Sequence, residues 1–293
     1  MRDLPRRLGV AAVGIPAVLG VLYVGGWTLG IPMALLAALG AGEVYRLAET
    51  KGVRAFRWPG MIAAGGIVLL AVAHPSFVAF APWGLSVILC LGGLTLTVAL
   101  WSRGPQGSPM SAVAVTVLGP LYAGVTVAFI PLLHALPTRM AWGEADPSPW
   151  LGTIVVTLPL AATWVGDSAA YLAGTAWGRS KLFPAISPNK SWVGAWAGVA
   201  GAAGATALWT LVARGPMPGS PVGAPALAAA MGAILGVGAI VGDLGESLLK
   251  REVGVKDSGT LFPGHGGVLD RLDALSFTLP LAYALLVGTE ALS

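Results

Sequence analysis

DLGESLLKREVGVKDSGTLFPGHGGVLDRLD, residues 243–273, follows the apolar run Ala226–Val241 and precedes another, Ala274–Leu292. It holds six of the thirteen carboxylates: Asp243, Glu246, Glu252, Asp257, Asp270 and Asp273. With them come Lys250, Arg251, Lys256, Arg271 and one of the three histidines, His265. Only 10% of the chain is charged, so this clustering carries information. Ionisable groups wedged between hydrocarbon-like runs are unfavourable unless water, a metal or a charged ligand meets them. The flanking runs therefore read as membrane spans, and the chemistry is expected between them.

The rest of the chain extends that reading. It is 56% hydrophobic with a mean hydropathy of +0.79, whereas soluble domains are roughly a quarter charged. Repeated apolar runs long enough for about 30 Å of hydrocarbon predict an all-α integral membrane protein, a polytopic bundle. About nine transmembrane helices are expected, near Leu8–Val24, Trp27–Leu47, Pro59–Val72, Pro82–Trp101, Ser111–Leu136, Leu151–Trp177, Val193–Val212, Ala226–Val241 and Ala274–Leu292. Residues 1–150 form an N-terminal region of about five spans, and 151–293 a catalytic region with polar loops at 178–192 and 243–273. Pro/Gly-rich turns at 102–109 and 214–225 separate spans. Glu43 and Arg46, near the end of the second span, are expected to reach the interface, as are His74 and His134. The single cysteine, Cys90, reads as a small buried residue and excludes an internal disulfide or a multi-cysteine metal centre.

Net charge is +4, and its distribution explains it without a nucleic-acid partner. With a cytoplasmic N-terminus and nine alternating spans, fifteen of the seventeen Lys/Arg fall on the cytoplasmic side, and only Arg139 and Arg214 fall outside. The expectation is a multi-pass protein of the cell (inner or plasma) membrane, surrounded by membrane lipids. Its polar loops and active site face the cytoplasm, and its C-terminus lies outside. The 42 glycines fit close helix–helix approach in lipid, and the small-residue spans are compatible with a homodimer.

Asp243, Glu246, Ser247 and Lys250 are spaced i, i+3, i+4, i+7 and share one face if the eighth helix continues past the membrane. Asp270 and Asp273 share a face at the start of the ninth. Between them lies PGHGG, Pro263–Gly267, a glycine turn entering a helix, which favours an anion. Carboxylate oxygens suit magnesium, and Lys250, Arg251, Lys256 and Arg271 suit polyphosphate. Asp167 lies inside the sixth span and is functional by default: a metal ligand, a partner of Lys190 or Lys250, or a structural hydrogen-bond acceptor.

The order Ser247, Lys250-Arg251, Lys256-Asp257, Pro263-Gly264-His265-Gly266-Gly267, Asp270-Arg271, Asp273 resembles the signature of the phosphatidate cytidylyltransferase (CDP-diacylglycerol synthase) family. Upstream, Gly166–Gly194 is similar to the family's Asp-x-Ala-Ala-Tyr helix and Ser-Pro-x-Lys loop, with departures at Asn189 and Val193. The resemblance covers roughly residues 160–280. It implies condensation of CTP with phosphatidic acid to give CDP-diacylglycerol and pyrophosphate, with magnesium and room for a second monovalent or divalent cation. On that implication Asp243 and Asp270 are metal ligands, and Asp273 is a further ligand or an orienting group. Lys250 and Arg251 hold phosphates. Asp167, Ser187, Lys190, Ser247, Lys256, Asp257, His265, Gly266, Gly267 and Arg271 shape the substrate site. His265 reads as a phosphate or loop-positioning group, because an ionised phosphate nucleophile has little need of a base. Two alternatives stay open: a cytidylyltransferase for another lipid phosphate of isoprenoid-ether type, and an ion-coupled membrane transporter.

Overall fold

The structure, a computed structural model, describes residues 16–142, 148–218, 220, 223–261 and 266–290. Helices account for nearly all of it: α1 (16–24), α2 (Gly26–Glu49), α3 (Arg57–Ala73), α4 (Phe77–Ser102), α5 (Pro109–Arg139), α6 (Trp150–Trp177), α7 (Trp192–Ala213), α8 (Pro225–Glu252), the short α9 (Leu269–Leu272) and α10 (Leu275–Glu290). Seven described helices are long and apolar enough to cross a membrane: α2, α4, α5, α6, α7, α8 and the Leu269–Thr289 segment. The all-α polytopic reading therefore holds. The ninefold count does not follow from these helices. α3 is apolar but has only 17 residues, and the first expected span lies partly outside the described residues.

Local chemistry explains the boundaries. Pro225 starts α8 at a position where its missing N–H has no partner to lose. Ser191 caps α7, its side chain accepting from Gly194 N at 3.1 Å, and Ser76 caps α4 by accepting from Ala79 N at 3.2 Å. α5 passes through a π-helical turn at Pro120–Val125, where a proline removes a donor from the ladder.

The helices meet through small residues and a few buried side chains. The Tyr45 hydroxyl donates to Thr116 O at 2.8 Å, and Thr116 Oγ1 accepts from Phe56 N at 2.8 Å, joining α2, α5 and the turn before α3. Phe77, Phe80, Phe129 and Tyr283 form an aromatic cluster tying α4 and α5 to α10. Elsewhere α4 touches the bundle along a stripe of Phe80, Gly84, Leu91, Thr95 and Ala99, and its other faces are exposed. Cys90 lies on one of those outer faces, which corrects the expectation of a buried residue. His134 is a helix–helix contact, its Nε2 2.6 Å from Leu22 O, and His74 stacks on Trp83 at 5.7 Å.

α7 and α8 pack closely enough that a Cβ on Gly232 would land on Thr206 Oγ1 and 2.6 Å from Ala202 O. Thr206 Oγ1 also bonds across the pair to Ala228 O at 2.7 Å. Gly232→Val is therefore expected to destabilise the protein by about 1–3 kcal/mol through overpacking. A thermal unfolding midpoint in detergent checks this, and an unchanged midpoint would show that the pair separates there freely.

Candidate active site

α8 carries the polar stretch out of the bundle as helix. From Pro225 to Asp243 the axis rises about 27 Å at 1.5 Å per residue, close to the ~30 Å hydrocarbon thickness. Asp243, Glu246, Ser247 and Lys250 thus occupy the two turns beyond that depth, on one face, as their spacing anticipated.

The polar loop 178–192 is a structured element. β1 (Lys181–Phe183) pairs antiparallel with β2 (Ser187–Ser191), Lys181 facing Ser191 and Phe183 facing Ser187. The hairpin leans on α8 at two points. Lys190 Nζ is 2.6 Å from Asp243 Oδ2, and Arg251 Nε donates to Ile186 O at 3.3 Å. Ser187 and Asn189 are thereby brought over the α8 face.

On the far side, α8 meets the start of α9. Lys250 Nζ lies between two carboxylates, 2.7 Å from Asp270 Oδ1 and 3.2 Å from Glu246 Oε2. These groups are nearly enclosed, with side-chain exposures of 11% for Lys250, 7% for Asp270 and 0% for Glu246. Asp270 Oδ2 accepts three further bonds, from Ser258 N at 2.9 Å, Ser258 Oγ at 2.9 Å and Gly267 N at 2.7 Å. Gly266 adopts φ +81°, and a Cβ there would meet Asp270 Oδ2 at 2.5 Å, so a glycine is required at this turn. Asp273 follows on the same side, its Oδ1 accepting from Ala274 N at 2.6 Å. Gly242 allows the Asp273–Ala274 backbone to lie directly against α8, which brings Asp273 alongside Asp243.

Two neighbouring cavities result. The smaller, about 320 Å³, is lined by Ser187, Asn189, Ser247, Lys250, Arg251, Lys256, Asp257, Asp270, Arg271 and Asp273. The larger, about 620 Å³, is lined by Asp167, Lys181, Asn189, Lys190 and Asp243 together with the apolar Ala170, Leu182, Ala195 and Ile240. Asn189 borders both. Asp243 joins them from the other side: its carboxylate lines the larger cavity while accepting at 3.2 Å from Ser247 Oγ, which lines the smaller.

The candidate residues therefore converge with few exceptions. His265 lies outside the described residues. Asp167 faces the larger cavity beside Lys190 and Asp243. Arg251 splits its guanidinium between the hairpin and Val255 O, at 3.0 Å from Nη1, and holds backbone while bordering the smaller cavity. Ser258 was not singled out from the sequence, Glu43 was placed at the interface instead of here, and Glu246 and Asn189 were named without being given a role in the site. Glu43 is also a correction, because it is 1% exposed and turned into the bundle, where it accepts from Ser258 Oγ, Val268 N and Leu269 N.

Among the described residues no three carboxylate, histidine or cysteine side chains form a metal cage. Magnesium does not require one, since it keeps waters and binds through one or two carboxylates plus substrate phosphates. Asp243 is 33% exposed, and among the described residues only Lys190 and Ser247 bond to it and only Lys250 to Asp270 Oδ1. Each carboxylate oxygen offers about two acceptor positions, so Asp270 Oδ1 keeps one beside Lys250 although Oδ2 is fully taken. Both groups retain capacity for a hard cation, so the donor set fits.

Residues 5–288 match the model of the cytidylyltransferase family. A phosphatidate cytidylyltransferase of Synechocystis sp. is 31% identical, over 96% of this chain and 96% of the relative. One from Brucella suis is 34% identical over 97% of this chain and 93% of the relative. Phosphatidate cytidylyltransferase 5 of Arabidopsis thaliana, chloroplastic, is 29% identical over 90% of this chain and 67% of its own length.

Proposed function

This chain belongs to the cytidylyltransferase family, and on that premise we propose that it condenses CTP with phosphatidic acid, giving CDP-diacylglycerol and pyrophosphate. The observation that carries this reading is the pair of cavities meeting at Asn189, Asp243 and Ser247. Two anionic substrates must be brought together, and each cavity supplies cations of its own. Lys250, Arg251, Lys256 and Arg271 border the smaller one, which takes the triphosphate. Lys181 and Lys190 border the larger, whose apolar wall suits the lipid end of phosphatidic acid.

In the reaction an oxygen of the lipid phosphate attacks the α-phosphorus of CTP, and the bond from that phosphorus to the bridging oxygen of the β-phosphate breaks. The electron pair leaves with pyrophosphate. The lipid phosphate is largely ionised near neutral pH, so the burden on the protein is alignment and charge neutralisation. Lys190, released from Asp243, meets the incoming lipid phosphate. Lys250, fixed by Glu246 and Asp270, holds a constant positive charge at the phosphate-binding end. Asp243 and Asp270 would hold magnesium, which when bound supplies Lewis-acid neutralisation of the phosphate oxygens. The site faces the cytoplasm in a cell membrane, where CTP is dissolved and phosphatidic acid stays in the bilayer.

The test is a substrate panel on detergent-purified protein. CTP with phosphatidic acid should yield labelled lipid, other nucleoside triphosphates should yield little, and chelation of divalent cations should stop the reaction. Stronger turnover of an isoprenoid-ether lipid phosphate would reassign the lipid, and no product with any nucleotide would remove the proposal.

A further inference from the structure

We propose that Glu43, on α2 in the N-terminal half, is a positioning residue for this reaction. It holds the backbone that presents Asp270, and the inference rests on the function proposed above. Glu43 touches neither cavity. Its carboxylate is 1% exposed and lies where three donors from the far end of the chain converge. Ser258 Oγ is 2.8 Å from Oε2, Leu269 N donates to Oε2 at 2.9 Å, and Val268 N donates to Oε1 at 3.0 Å. Arg46, half exposed, adds a looser contact at 3.4 Å.

The donors serving Glu43 interleave with those serving Asp270. Ser258 gives its N–H to Asp270, and its hydroxyl stands between the two carboxylates, at 2.8 and 2.9 Å. A hydroxyl has one proton, so it donates to one carboxylate at a time and couples the position of both. Gly267 N goes to Asp270, while the next two N–H groups go to Glu43. Neither carboxylate can shift without dragging the turn that holds the other. A Cβ on Gly259 or on Gly267 would lie 2.5 Å from Glu43 Oε1, so the backbone closes around this carboxylate as tightly as glycine allows. A buried carboxylate is costly unless several donors satisfy it. Holding Asp270 in register with Lys250 gives that cost a use.

The test compares wild type, Glu43→Ala, Glu43→Gln, Ser258→Ala and the double variant Glu43→Ala/Ser258→Ala. Transfer from labelled CTP to phosphatidic acid is measured per folded enzyme, the folded fraction being taken from monodisperse elution and the thermal midpoint. For Glu43→Ala, kcat should fall at least ~30-fold with KM for phosphatidic acid changed less than roughly twofold, the pattern of a lost transition-state arrangement. Glu43→Gln, whose amide oxygen still accepts, should lie between the two and serves alone if the alanine variant does not purify. In the double variant Ser258→Ala should add less than it costs alone, because its bridge has already lost the Glu43 end and only its bond to Asp270 is left to remove. Unchanged kcat per folded enzyme in Glu43→Ala and Glu43→Gln, or a Ser258→Ala effect that persists in full in the double variant, would overturn the proposal. Failure of the underlying function is distinct from both outcomes, since wild type would then form no product.

Discussion

Lys250→Met is expected to lower stability by about 3–5 kcal/mol, the usual loss when a buried ion pair is stripped of one partner. It should also abolish nucleotidyl transfer. Lys250 is the only ammonium within 4 Å of both Glu246 and Asp270 among the described residues, and Glu246 is fully buried. Without it Glu246 and Asp270, both enclosed, lose the ammonium they share. Methionine fills the volume of the stem but supplies no donor. Lys250→Arg should retain more stability, because the charge persists, yet regain little activity, because the planar guanidinium does not reproduce a point contact at 2.7 Å. Thermal midpoints and transfer rates of the two variants decide the matter. A methionine variant that melts with wild type would show that Glu246 is held by something other than Lys250.

The second large effect falls on activity alone. Asp243→Asn should reduce transfer by ~10²–10³-fold, the scale associated with removing one preorganised electrostatic group, while leaving the thermal midpoint nearly unchanged. Asp243 is a third exposed, so neutralising it strands no buried charge, and the amide oxygen still accepts from Ser247. Lys190 would lose its partner at 2.6 Å and extend toward solvent. Loss of both activity and folded protein would instead mark the Lys190–Asp243 pair as structural.

The two variants separate groups whose spacing was legible from groups whose partners were not. Asp243, Ser247 and Lys250 were readable because helical periodicity carries them on one face, and α8 does continue to Glu252. Asp270 and Asp273 were readable as neighbours in sequence. Periodicity gave no distances across elements: that Lys250 lies between Glu246 and Asp270, or that Lys190 arrives from a hairpin, depends on packing between remote segments. The hairpin itself was hidden because Ser187–Ser191 includes a proline and polar residues with weak strand preference. Glu43 had a signal that was passed over. It is an acid within the apolar run GAGEVYRL, the same feature that singled out Asp167 inside its span. Its nearness to the end of α2 suggested an interface, whereas the fold turns that end inward against Val268 and Leu269.

The spans divide in the same way. Long uniform runs such as α6 and α7 were recovered to within a residue at each end, because hydropathy alone defines them. The side each face presents was not recoverable, and Cys90 shows why. α4 is apolar all round, with a stripe of small and aromatic residues deciding which face meets the bundle.

The most direct measurement follows position-labelled CTP on the wild-type protein with phosphatidic acid and magnesium. Label at the α-phosphorus should enter the lipid phase and label at the γ-phosphorus should be released as pyrophosphate, in equal amounts. Transfer of the γ-label to the lipid would identify a kinase reaction, and retention of both labels in water-soluble nucleotide would contradict nucleotidyl transfer to phosphatidic acid at this site.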